Sequence, residues 1–269
     1  MKSRFREIRA GKLTYVILSD AIITPNDSPK ARAAKQKLSK SARELLNDRS
    51  SRMKLELMLA ANFTQEDFFA TFTFSDECLP QSLKEARARM KQFHRNMRTS
   101  RGKKGEEYSY IYCVEDGRRT GRFHVHAFIN RGTGGREEIE SLWPWGEILK
   151  VAEVKIEEND WCRDAARYMT KEMGALPLGT KAWVPSQGLK KPEVRTGFLA
   201  DGETIEPPSS AYILERETVV NQYGSYTYLR YVNQEVTGFK RNQPRKSSTL
   251  KSSGARGRRT VSPEAHQRR

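Results

Sequence analysis

The chain has 269 residues, and its 36% hydrophobic fraction is low but sufficient for one ordinary core. Its 49 Lys and Arg against 33 Asp and Glu leave a net charge of +16, which favours a polyanionic partner, nucleic acid first among them. No apolar run approaches the ~20 residues a bilayer requires, no apolar stretch follows the basic "MKSRFREIRAGK" start as in a signal peptide, and Cys78, Cys113 and Cys162 are too few and too scattered for a disulfide framework or a zinc knuckle. A soluble protein of a reducing compartment is expected, without a membrane role.

In chain order, the apolar run "LTYVILSDAII" is followed by a Lys/Arg-rich stretch whose Leu38, Leu45, Leu46, Met53 and Leu57 recur loosely on one helical face. "FFATFTFSDE" reads as a strand, since β-branched and aromatic residues dominate it. Pro80 and Ser82 open a basic helix of about five turns that ends in a Gly-bearing segment. "YSYIYCVE" and "RFHVHAFIN" form a hairpin around "DGRRTG", "REEIESLWPWG" is a short helix stopped at Pro144, and "EILKVAEVKI" is a further strand. Asn159 or Asp160 opens the next helix, "NDWCRDAARYMTKEMG", and Gly174 closes it. Adjacent strands between helices predict an α+β fold, an antiparallel sheet of about five strands with helices on one face. Positions 1–60 are expected as a basic, largely helical N-terminal segment, 61–176 as the core, 177–239 as an accessory region with strands at "SAYILERETVV" and "SYTYLRYV", and 240–269 as a disordered basic tail. The positive charge is concentrated: positions 84–104 carry nine basic residues against one acidic, and positions 240–269 ten against one. Solvated faces explain such blocks as readily as DNA contact does.

The stretch "GRFHVHAFIN" sharpens the reading. Alternation on a strand puts Arg122, His124, His126 and Phe128 on one face and Phe123, Val125, Ala127 and Ile129 on the other. If the apolar set packs on the helices, both imidazoles look toward the open side of the sheet, spaced to share one ion. Glu115, on the partner strand of the hairpin, lies beside His124 or His126 across the ladder, with Asp116 as an alternative carboxylate. Two histidines and one carboxylate suit Mn²⁺ or Mg²⁺ bound jointly with a phosphate better than structural zinc. Two unrelated histidines on a strand are the plainer alternative.

Downstream, Tyr168, Lys171 and Glu172 fall at i, i+3 and i+4 on one helical face. A Thr-rich strand, a His-hydrophobic-His strand and a Tyr-x-x-Lys helix, in that order, resemble the three motifs of the HUH endonucleases, at "FFATFTF", "GRFHVHAF" and "YMTKE". With "NFTQEDFFATFTF", "YIYCVE" and "WVPSQGLKKP" added, residues 45–192 are most similar to single-tyrosine rolling-circle replication-associated proteins of phages and prophages.

The resemblance implies a sheet of ferredoxin- or RRM-like topology and a strand-transfer cycle on single-stranded DNA in a bacterial cytoplasm. Tyr168 would attack the scissile phosphate and leave a 5′-phosphotyrosine, with an ion at Glu115, His124 and His126 stabilising the phosphate. Lys171 would orient or neutralise the phosphate or lower the phenol's pKa, while Glu172 has no assigned role. Arg122, Arg95, Arg98, Lys103 and Lys104 are expected DNA contacts, and Trp143, Trp145 and Trp183 either stack on bases or pack in the core. No G-x-x-x-x-G-K-[ST] loop is present, so no nucleotide cofactor is expected and a host helicase and polymerase are expected partners. A single-tyrosine transposase or relaxase would share this chemistry. A non-catalytic DNA-binding regulator would show none of it.

Overall fold

The structure, a computed structural model, describes residues 3–21, 40–117, 121–146, 149–154, 161–171, 180–200, 203–221 and 224–233. The expected basic tail lies outside these residues, as do Asn159, Asp160, Glu172 and Gly174. In chain order the elements are β1 (Ser3–Ala10), β2 (Leu13–Ala21), α1 (Lys40–Asn62), β3 (Phe68–Phe72), α2 (Leu83–Lys103), β4 (Tyr110–Gly117), β5 (Arg122–Ile129), α3 (Gly135–Ser141), β6 (Leu149–Glu153), α4 (Trp161–Met169), β7 (Val184–Pro185), β8 (Glu193–Leu199), β9 (Ala211–Asn221) and β10 (Gly224–Asn233). No described helix is long and apolar enough to cross a membrane.

The fold is α+β. Its central sheet has the order β6-β3-β5-β4-β7, with every neighbouring pair antiparallel. Taken in chain order, its four long strands lie fourth-first-third-second, the expected ferredoxin-like arrangement. The two crossover helices, α2 and α3, cover one face. Helix α2 starts at Ser82, whose hydroxyl accepts the Glu85 N–H at 3.2 Å while the Glu85 carboxylate accepts the Gln81 N–H at 2.8 Å. Its Ala86, Met90, Phe93 and Met97 recur every three or four residues and are fully buried against Ala70, Phe72, Val125, Ala127 and Ile129. Phe72 packs its ring on Phe93 and Trp143, with centroids 4.9 and 4.7 Å away.

The opposite face, which carries the histidines, is not left open as expected. Leu55, Leu59 and Phe63 of α1 and its C-terminal end, together with Cys162, Ala166 and Met169 of α4, pack on Ile111, Cys113 and Phe128. The reason is compositional: on that face β3, β4 and β5 each change from apolar at one end to polar at the other, and helices cover the apolar end only.

A second antiparallel sheet, of order β8-β1-β2-β10-β9, unites strands from both ends of the chain. The N-terminal segment, expected to be largely helical, therefore begins with a hairpin, and its helix starts only at Lys40. Ile8, Ala10 and Leu13 of this hairpin pack on Leu57 of α1. The turn approaches α1 closely: Gly11 has φ +56°, and a Cβ there would sit 2.3 Å from the Ala60 carbonyl oxygen. Helix α1 thus lies between the sheets, turning Leu55 and Leu59 to one and Leu57 to the other.

Candidate active site

Strand register sorts the side chains of the histidine face into rows across β6, β3, β5 and β4. Ala152, Phe69, Phe128 and Ile111 form the first row, Lys150, Thr71, His126 and Cys113 the second, and His124 with Glu115 the third. The first row is the apolar floor beneath α1 and α4. His126 stands where cover gives way to polar surface, and it is buried while His124 is half-buried.

Helix α4 brings a phenol to this boundary. Its Cys162, Ala166 and Met169 form a buried stripe at i, i+4 and i+7, which leaves Tyr168 beside the stripe and 43% exposed. The Tyr168 hydroxyl lies 3.4 Å from His126 Nε2, and the two rings meet edge to face with centroids 4.8 Å apart. Phe69 stacks on His126 at 5.9 Å and an interplanar angle of 7°, fixing the imidazole from its other side.

Around this pair the polar contacts form a chain. Lys171 Nζ lies 2.7 Å from Glu115 Oε1 and 4.5 Å from the Tyr168 ring centroid. The other carboxylate oxygen, Oε2, is 2.9 Å from His126 Nε2, and His126 Nδ1 is 3.1 Å from Thr71 Oγ1. Glu115 therefore lies opposite His124 in the ladder but bonds His126, one pleat along.

Burial lowers the pKa of His126, against the pull of Glu115. The Glu115 pKa is also lowered: burial opposes this, and the hydrogen bonds from Lys171 and His126 outweigh it. At neutral pH the contact is then a hydrogen bond from a neutral Nε2–H to an ionised carboxylate, not an ion pair. Thr71 completes this tautomer by donating its hydroxyl hydrogen to Nδ1. The Tyr168 pKa is raised, first by burial and then by Glu115 and Cys113; Lys171 draws it down but does not prevail. The expectation that Lys171 yields a phenol of lowered pKa is thus corrected for the protein alone.

Among the described residues no three His, Cys, Asp or Glu side chains are gathered into a metal-binding cluster. The Glu115 oxygens are occupied by Lys171 and His126. The donors nonetheless have the protonation states a divalent cation needs, an ionised carboxylate and a buried neutral imidazole, with His124 the register partner of that carboxylate. The ammonium of Lys171 already supplies positive charge at Glu115. The donor set fits such an ion.

The expected DNA contacts do not converge here. Arg95, Arg98, Lys103 and Lys104 are exposed on or just after α2, which packs on the other face of the sheet. Lys104 bonds Glu138 at 2.9 Å. Arg122 donates to the Phe74 carbonyl at 2.9 Å and pairs with Asp76. Arg101 of the same basic block is fully buried against Glu138. Trp143 is a core residue whose Nε1 donates to the Thr73 carbonyl, and the Trp183 Nε1 donates to Ser51 Oγ. Sequence reasoning missed Thr71 and Lys150. Lys150 is exposed on edge strand β6, in the His126 row. The alternation of threonines with phenylalanines in "FFATFTF" carried the signal for the first, and nothing local marked the second.

Residues 67–175 match a family model of replication-associated proteins, the ORF2 type. That segment contains Thr71, Glu115, His124, His126, Tyr168 and Lys171, and its similarity to replication-associated proteins connects the chain with DNA replication and the initiator role. No curated protein and no solved structure matches the chain.

Proposed function

We propose that the protein is a rolling-circle replication initiator that nicks and rejoins single-stranded DNA through a covalent intermediate on Tyr168. The observation that carries this reading is the Tyr168 hydroxyl 3.4 Å from His126 Nε2, beside a Lys171–Glu115 pair. In the nicking step the Tyr168 oxygen bonds the scissile phosphorus and the bond to the 3′ oxygen breaks. The phenol proton leaves to water, which reaches the half-exposed ring, and the 3′ oxygen takes up a proton to become the hydroxyl that primes synthesis. A phosphotyrosine diester lies near its parent phosphodiester in energy, so reversal rejoins the strand without a nucleotide.

Lys171 offsets the charge of the transferring phosphoryl group, and its place against the Tyr168 ring keeps the phenol turned toward the imidazole. Phe69 and Thr71 fix His126 by stacking and hydrogen bonding. A divalent cation, Mn²⁺ or Mg²⁺, held by Glu115, His124 and His126 would supply Lewis-acid charge at the non-bridging phosphate oxygens. Lys150, in the His126 row, is placed to meet a neighbouring phosphate of the strand.

The test is incubation with 5′-labelled and 3′-labelled single-stranded oligonucleotides spanning the element's origin, with and without Mn²⁺. The expected result is label from the 5′-phosphate side migrating with the protein, and its loss in Tyr168→Phe with DNA binding retained. An adduct that persists in Tyr168→Phe removes the assignment.

A further inference from the structure

A row of charged and polar side chains crosses the second sheet where it faces α1 and α4. Register aligns Tyr15 of β2, Arg230 of β10 and Glu215 of β9. Above the row, Glu56 of α1 accepts the Tyr15 hydroxyl at 2.6 Å and lies 2.8 Å from Arg230 Nη2. Arg163, on the first turn of α4, donates to Glu215 Oε2 at 2.7 Å, and Arg230 Nη1 lies 3.6 Å from the same oxygen. Arg230 and Glu56 are 1% and 2% exposed. Such a cluster is strongly directional, because a buried charge that loses its partner is left uncompensated.

The row grips both helices that roof the apolar end of the histidine face. The buried stripe of α4, Cys162, Ala166 and Met169, is small or unbranched. Packing of that kind fixes the distance between helices better than the rotation of one of them, and Arg163 supplies the missing directional constraint. Tyr168 lies on the last turn of the same helix.

We infer that the Tyr15–Arg230–Glu215 row is a positioning device: through Arg163 it holds α4 in the rotation that presents the Tyr168 hydroxyl to His126. The second sheet, outside the matched stretch 67–175, then belongs to the strand-transfer machinery. The inference rests on Tyr168 as the nucleophile for its functional half and on the Arg163–Glu215 contact for its structural half.

The test uses the full chain as wild type, Arg163→Met, Arg163→Lys and Glu215→Gln. Three quantities are read: amide exchange of the peptide containing 162–170, affinity for a single-stranded oligonucleotide, and the single-turnover rate of adduct formation at saturating DNA. In Arg163→Met and Glu215→Gln, exchange of that peptide is expected to accelerate while peptides from β3 and β5 keep their protection. The adduct rate is expected to fall on the order of tenfold with affinity unchanged, the mark of lost positioning and not of lost binding. Arg163→Lys, which keeps the charge, is expected to restore both protection and rate to near wild type. Unchanged α4 exchange in Arg163→Met and Glu215→Gln overturns the inference, as does an unaltered adduct rate despite faster exchange. If the wild-type chain forms no adduct, the nuclease reading fails by itself, and faster α4 exchange in the variants still upholds the hold on the helix.

Discussion

Two carboxylates, Glu56 and Glu115, each bond a basic side chain and a ring group, yet their surroundings differ. Glu56 is enclosed between the second sheet and α1, with its partners Arg230 and Tyr15 locked by strand register. Glu115 stands at the edge of cover, its lysine partner 42% exposed and its imidazole partner 3.4 Å from a half-exposed phenol. A saturated, dry cluster holds elements together. A cluster whose partners can be exchanged for a phosphate or a cation can do chemistry. The difference teaches that the charged groups of this protein divide by access to solvent more than by composition.

The largest expected effect falls on the closed cluster. Glu56→Ala leaves Arg230 buried without its main partner and is expected to destabilise the fold by about 3–5 kcal/mol, read as a lowered denaturant midpoint. A change below about 1 kcal/mol would show that water reaches Arg230 and that the two clusters are alike.

Glu115→Gln reverses the balance. Its stability cost is expected to be about 1 kcal/mol, since Lys171 can turn to solvent. The Mn²⁺ dependence of adduct formation should weaken markedly. An unchanged metal titration would move the role to another carboxylate, such as Asp116.

A third effect comes from acid. Burial lowers His126, and His94, stacked 3.5 Å from Tyr110, lies well below its ordinary 6.5. The unfolded chain therefore takes up protons near pH 6.5 that the folded one resists, and stability falls as pH drops below that value, with a slope of at most about 1.4 kcal/mol per pH unit for each group. The lowered Glu115 adds stability present above its unfolded pKa, near 4.5, and lost as pH falls through its folded value. His126→Asn should make the decline between pH 6.5 and 5 shallower, leaving the part due to His94. An unchanged slope in chemical denaturation would contradict the burial of a neutral His126.

The smallest effect is expected on α2. Arg95→Ala with Arg98→Ala should hardly alter binding of an oligonucleotide of about ten nucleotides centred on the nick, because both arginines lie across the sheet from Tyr168. On longer DNA the pair should lower the salt dependence of affinity by up to about two counterions. An equal loss on the short oligonucleotide would mean that the strand passes over the α2 side.

Much of the central sheet is legible in the sequence because its signals are local. Ser82 and the Ala86–Met97 spacing define α2, and the alternation in "RFHVHAFI" defines β5. The same eight residues mislead about the exposure of the histidine face. Phe128 shares that face with His126, and an apolar ring two positions from an imidazole is the mark of a surface that is half covered. Strand β1 is hidden because "SRFREIRA" carries three arginines and a glutamate, and only pairing with residues nearly two hundred positions away makes it a strand. The Arg163–Glu215 contact is equally nonlocal. Tyr168 and Lys171 are recognisable by spacing, while the direction of the phenol's pKa depends on burial that no spacing reveals.

The placement of β2 between β1 and β10 has a consequence for how the molecule is born. A ribosome releases the first hairpin long before residues 224–233 exist, so Tyr15 must wait for its arginine and glutamate until nearly the last strand emerges. Contacts so distant in sequence close late. The nascent chain therefore completes its imidazole-bearing sheet first, and the helix bearing the reactive hydroxyl is fastened only when translation is almost done.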